Sequence, residues 1–157
     1  MSRESILAAY RLLRLIETHP KELTDSFLRK AASSDKTRDY VGKVPSEDLE
    51  QRVFDIYQHL GQWLQNKSEP DIARLYTEIG KLRVQQGALL TELIWTIVLV
   101  KATLLEFLEV ETKNATPHEI FGQLELFQLF EQFFDRAVYY AVKGYEGAMR
   151  GVVAVAG

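Results

Sequence analysis

The stretch Gly87–Val110, GALLTELIWTIVLVKATLLEFLEV, decides the fold. Its polar positions Glu92, Thr96, Thr103 and Glu106 fall in one narrow stripe at helical spacing, and most other positions around the cylinder are apolar. That pattern predicts a long buried central helix enclosed by others. It is not a membrane span, because Glu92 and Lys101 lie inside it and each ionised group is costly at bilayer depth.

Working outward, Ser68 and Asp71 with Pro70 between them form a strong helix start, with a capping hydroxyl and acids near the positive end of the dipole. A helix is predicted from Asp71 through the central stretch to about Thr112, with Gly87 as a bend or break. Thr116-Pro-His-Glu119 is a capping box that opens a long C-terminal helix to about Arg150. Upstream, helices are predicted over Ser5–Glu17, Pro20–Ala32 and Ser46–Asn66. Ile6, Leu7, Tyr10, Leu13 and Leu15/Ile16 mark the apolar face of the first. Ser33–Pro45 carries mixed charges, glycine and proline without a period and reads as the longest loop, anchored by Tyr40 and Val41. The expectation is an all-α bundle of five to six helices, one domain over residues 1–150, with 151–157 as a frayed tail.

Composition narrows the function classes. The chain has 157 residues, 46% apolar and 26% charged, with no cysteine. This suits a soluble globular protein and leaves no disulfide framework or thiolate metal site. A formal charge of −3 creates no general field for nucleic acid or an anionic membrane. The N-terminus is amphipathic and begins with charges, without an apolar core and cleavage site, so a cytoplasmic location and no membrane insertion are expected.

Few residues invite chemistry. Tyr76, Gly80, Arg83 and Gly87 lie three and four apart, on one helix face. A glycine within a helix costs about 1 kcal/mol against alanine, so two here imply a close approach. Arg83 either ties down a carboxylate or loop carbonyl, or holds an anionic ligand. Lys101 lies opposite the Glu92 stripe and either snorkels or pairs with Glu131 or Asp135. His19, His59 and His118 share no metal-ligand spacing. His59 is a lone helix histidine, and no haem is expected on it. No nucleophile, base and acid set emerges, so no enzyme, no cofactor and no metal are expected.

The C-terminal helix is aromatic-rich, and Ala137, Ala141, Gly144 and Ala148 form one row of small residues that lets another helix approach. With Phe133, Phe134 and Tyr140 beside it, this row is the predicted homodimer interface. A second possibility is an apolar cavity among Trp95, Phe107, Phe127 and Phe130 for a lipid, an aromatic compound or haem.

The segment Tyr76–Leu108 resembles the RsbRD-type N-terminal domain. The features are a small residue, an arginine, Gln-Gly and an apolar-x-Glu-apolar start to a long helix. Here these are Gly80, Arg83, Gln86-Gly87 and Leu90-Thr-Glu92-Leu93, with Gly144-Tyr-Glu146 near the end of the last helix. The resemblance implies a helical, globin-like, dimeric input domain of stress-signalling co-antagonists and some sensor histidine kinases. It implies no catalytic residues; a regulatory protein partner is expected for such a domain, and a small apolar ligand belongs to the cavity reading above. No anti-sigma-antagonist or kinase module follows in this sequence, so either an excised domain or a free-standing relative is expected.

Overall fold

The computed structural model describes residues 3–156. Their regular structure is helical: α1 (Arg3–Glu17), α2 (Pro20–Ser33), α3 (Arg38–Lys43), α4 (Ser46–Gln58), a π-helical turn (Gln62–Asn66), α5 (Glu69–Gln85), α6 (Leu90–Glu111) and α7 (Pro117–Ala156). The all-α class and the long C-terminal helix are as expected, but there are more helices than five or six.

Two helix starts form from the residues predicted to build them. The Ser68 backbone N–H and hydroxyl both donate to Asp71 Oδ2 at 2.9 Å. Thr116 Oγ1 donates to Glu119 Oε1 at 3.0 Å and accepts from the Glu119 N–H at 3.3 Å. In each box the bond from the backbone N–H satisfies a donor that the helix start leaves orphaned, and the side-chain pair holds the acceptor in place. Ser46, where the third helix is predicted to start, is the first residue of α4, and the Pro45 before it supplies no side-chain cap. Gly87 is a true break: at φ +78° it ends α5, and the Ala88 N–H returns to the Arg83 carbonyl at 3.0 Å.

The additional elements arise from distant contacts. Within the predicted loop, the Thr37 hydroxyl donates to the Ala31 carbonyl at 2.7 Å, and Tyr40 and Val44 enter the core, winding α3 between them. The predicted third helix breaks at His59 because the Gly61 N–H donates to the Glu17 carboxylate of α1 at 3.1 Å. The chain resumes as the π turn, closed by Lys67 N–H to Gln62 O at 2.8 Å. The tail expected to fray is helical through Ala156, which no proline interrupts, and Gly157 lies outside the described residues.

One continuous core runs through the helices. Its hub is α7, which touches α1, α5, α6 and the π turn. The helix expected at the centre, α6, is only half enclosed. Its polar stripe turns inward: Glu92, Thr96 and Thr103 are buried, while Ile94, Trp95, Val98, Ala102 and Leu105 are half-exposed. Lysines satisfy this stripe from above. Lys43 of α3 bonds Glu92 at 2.9 Å, and Lys30 of α2 reaches Thr103 and Glu106. Glu92 also accepts the Leu89 N–H at 2.8 Å and so anchors the first turn of α6.

On α1, Leu13 and Ile16 are buried as expected, but the first half of the helix differs: Ile6, Leu7 and Tyr10 are exposed, and Ser5, Ala8 and Leu12 face inward. Small residues set that choice, since a Cβ on Gly122 of α7 would come 1.8 Å from the Ser5 carbonyl oxygen.

Candidate functional site

Arg83, the residue singled out on α5, is 1% exposed. Its Nε donates to the Tyr40 hydroxyl at 2.6 Å and its Nη1 to Gln86 Oε1 at 2.8 Å. Nη1 also lies 3.5 Å from Asp48 Oδ2, an oxygen shared with Arg52 Nε at 3.1 Å. One guanidinium thus ties α3, α4 and the end of α5 together, with its fork pointed at fixed acceptors. Among the described residues no buried side-chain nitrogen or oxygen lacks a partner. Of the two sequence readings, the clamp is the one the geometry builds. Burial pushes the Tyr40 phenol above its ordinary value, and the Arg83 charge opposes this without reversing it. Tyr76, on the same face of α5, is buried edge-on against Phe133 with ring centroids 6.0 Å apart.

Lys101 pairs with Glu131 of α7, Nζ to Oε2 at 2.9 Å, with both side chains partly in water. This is the predicted pair, but at the surface.

The residues assigned to a dimer interface lie mostly inside the chain. Ala137 and Ala141 are 0% exposed, Phe133 and Phe134 2%. Gly144 is buried, while Tyr140 and Ala148 are half-buried. The row packs on α5, reciprocally. A Cβ on Gly80 would lie 2.1 Å from the Ala141 carbonyl oxygen, and one on Gly144 2.1 Å from that of Thr77. Glu69 meets Arg136 at 3.1 Å further back along the same pair, so α5 and α7 run parallel. The small residues do mark a close helix approach, but the approaching helix belongs to the same chain.

His59 stands at the end of α4, 46% exposed and 3.8 Å from Asp55. His19 Nδ1–H donates to the Leu15 carbonyl at 2.8 Å, and His118 lies 3.9 Å from Glu4. Among the described residues no group of three or more His, Asp or Glu could hold a metal. Among the described residues no helix is long and apolar enough to cross a membrane.

The aromatic cavity expected among Trp95, Phe107, Phe127 and Phe130 is not the site that forms. Phe130 is 0% exposed and rests on Phe127 at 6.2 Å, His19 covers Phe107 at 6.1 Å, and Lys36 lies 4.5 Å over Trp95. A different concavity of about 170 Å³ opens between the π turn, α5 and α7, floored by Ile72 and Phe133. Sequence reasoning missed it because Trp63 and Leu64 reach it only through the π turn, which a contact to α1 creates. No family model, no curated protein and no solved structure matches this chain.

Proposed function

We propose that this chain is a cytoplasmic, non-catalytic input domain of the RsbRD N-terminal type, acting as a homodimer that relays a signal along its C-terminal helix to a regulatory partner. The observation that carries the reading is the joint outer face of α6 and α7. Val98, Ala102 and Leu105 of α6 are half-exposed, and across the Lys101–Glu131 pair α7 presents Leu124, Val138 and Val142. Met149, Val152 and Val153 extend apolar exposure to the end of α7. Soluble chains rarely leave such a contiguous patch wet, and a twofold axis lets it cover its own copy.

The residues behind the resemblance each have a defined place. Gly80 seats α7, Arg83 and Gln86 lock the end of α5, Gly87 breaks the chain, and Glu92 anchors α6. A shift of α6 therefore passes to α7, whose final turns carry it outward.

Sedimentation equilibrium tests the reading. The wild type is expected to be a dimer at micromolar concentration, with roughly 1,200–2,000 Å² buried in total. Ala102→Arg sets two like charges in a dry interface and is expected to give a folded monomer. A wild type that sediments as a monomer, or an Ala102→Arg dimer, sinks it.

A further inference from the structure

We propose that the cavity between the π turn, α5 and α7 binds a small aromatic carboxylate, and, given the input-domain reading, that this class of molecule is the signal. The cavity is half open, with an apolar floor, walls that mix apolar side chains with Gln132 and Glu69, and a cationic rim. Trp63 and Phe133 touch each other in its lining, with ring centroids 5.9 Å apart and planes tilted by 47°. Leu64 and Leu129 complete the walls, and Ile72, 5% exposed, forms part of the floor. Its volume of about 170 Å³ compares with the roughly 150 Å³ that holds a benzene ring in an apolar protein cavity.

Lys67 and Arg136 stand at the rim. The Lys67 ammonium lies 5.6 Å over the Trp63 ring and makes no ion pair among the described residues. Arg136 uses only its Nε, donating to Glu69 Oε1 at 3.1 Å. The guanidinium fork keeps further N–H groups for a second carboxylate, its preferred acceptor. Glu69, itself exposed, holds the Nε side of the same guanidinium and so competes for its charge with a ligand's carboxylate. A bare inorganic anion has no use for the apolar floor, and a neutral ring has none for the two cations. An arene with one carboxylate uses both.

A ligand there would touch the π turn and α7 at once, so its binding bears on the helix that the input-domain reading uses as its relay. The occupant is tested with sodium benzoate, following Trp63 fluorescence in a Trp95→Phe protein and heat by calorimetry. Saturable binding is expected, with benzamide, the uncharged analogue, about tenfold weaker, the scale of one charge-assisted contact. Lys67→Gln and Arg136→Gln should each weaken benzoate by roughly the same factor. Glu69→Gln, which removes the internal competitor, should tighten it. Leu129→Trp fills the cavity and should abolish it, with circular dichroism showing that the variant folds. The proposal is overturned if benzoate does not saturate the wild type, or if Glu69→Gln and the rim variants leave its affinity unchanged. Sedimentation of the same samples separates the two readings. A dimer that ignores benzoate removes the ligand alone, and a monomer that binds it removes the input-domain assembly alone.

Discussion

The two sides of α7 are built in opposite ways. Toward α5 it presents Ala137, Ala141 and Gly144, and the helices approach until backbone meets backbone, with Gly80 and Gly144 each under the other helix's carbonyl. Toward solvent, beside α6, it presents Leu124, Val138 and Val142, side chains of ordinary size that no neighbour covers completely. The inner side is dry and closed by its own chain. The outer side is apolar and open. A row of small residues therefore marks where a helix has already been packed, and an available surface is marked by medium-sized apolar residues left half wet.

The largest effect that tests this contrast comes from pH. Tyr40, Tyr57 and Tyr76 are all buried, and burial holds each phenol above its ordinary value. Tyr57 donates to the Val100 carbonyl at 2.8 Å beneath α6. In the unfolded chain a tyrosine loses its proton near pH ~10. Above that pH the unfolded state binds fewer protons than the folded one, so stability is full below about pH 10 and falls as pH rises toward the raised folded values. Three such groups give a slope approaching about 4 kcal/mol per pH unit. Urea midpoints across this range should drop steeply, with the phenolate absorbance of these three tyrosines appearing only on unfolding. Ionisation of all tyrosines in a protein that stays folded would show that the interior is wet.

Next in size is a pair of substitutions on one helix. Gly144→Ala drives a methyl into the Thr77 carbonyl and must push α5 and α7 apart, at a cost of about 3 kcal/mol. Gly147→Ala, one turn further on, meets nothing within 4 Å. It removes a helix glycine and should stabilise by up to about 1 kcal/mol. Opposite signs in thermal melts would confirm that the seam is backbone-tight at Gly144. Equal effects would show that the seam yields.

What the sequence made legible was mostly local. The cap at Ser68 and Asp71, the capping box at Thr116 and Glu119 and the break at Gly87 each lie within four residues of the structure they make. Arg83 could be marked as a buried, paired group because glycines flank it at helical spacing, though Tyr40 as its partner could not. What stayed hidden depends on distant residues. The π turn exists because Glu17 takes the Gly61 N–H from 44 positions away. The α1 face is legible at Leu13 and Ile16 but not in the first two turns, because large apolar residues outscore small ones in a periodicity argument, and there Ser5 and Ala8 are the buried positions. The row on α7 was recognised as an approach site but given the wrong partner, since spacing does not say which helix comes near.

The smallest expected effect bears most directly on the open side of α7. Lys101 and Glu131 join α6 to α7 at 2.9 Å in the middle of the outer face, with side chains 27% and 49% exposed. In a lone chain water screens such a pair, so a double-mutant cycle with Lys101→Ala and Glu131→Ala should give a coupling of only about 0.5 kcal/mol, lower still in high salt. If the face closes on a second copy, the same charges lose their water, and desolvated interface pairs couple by about 1.5 kcal/mol or more. The cycle is therefore run twice, below and above the concentration at which the chain associates. Coupling that grows with association places the pair inside the interface. A value that stays the same in both conditions leaves it in solvent, and an association of that kind must use a surface other than α6 and α7.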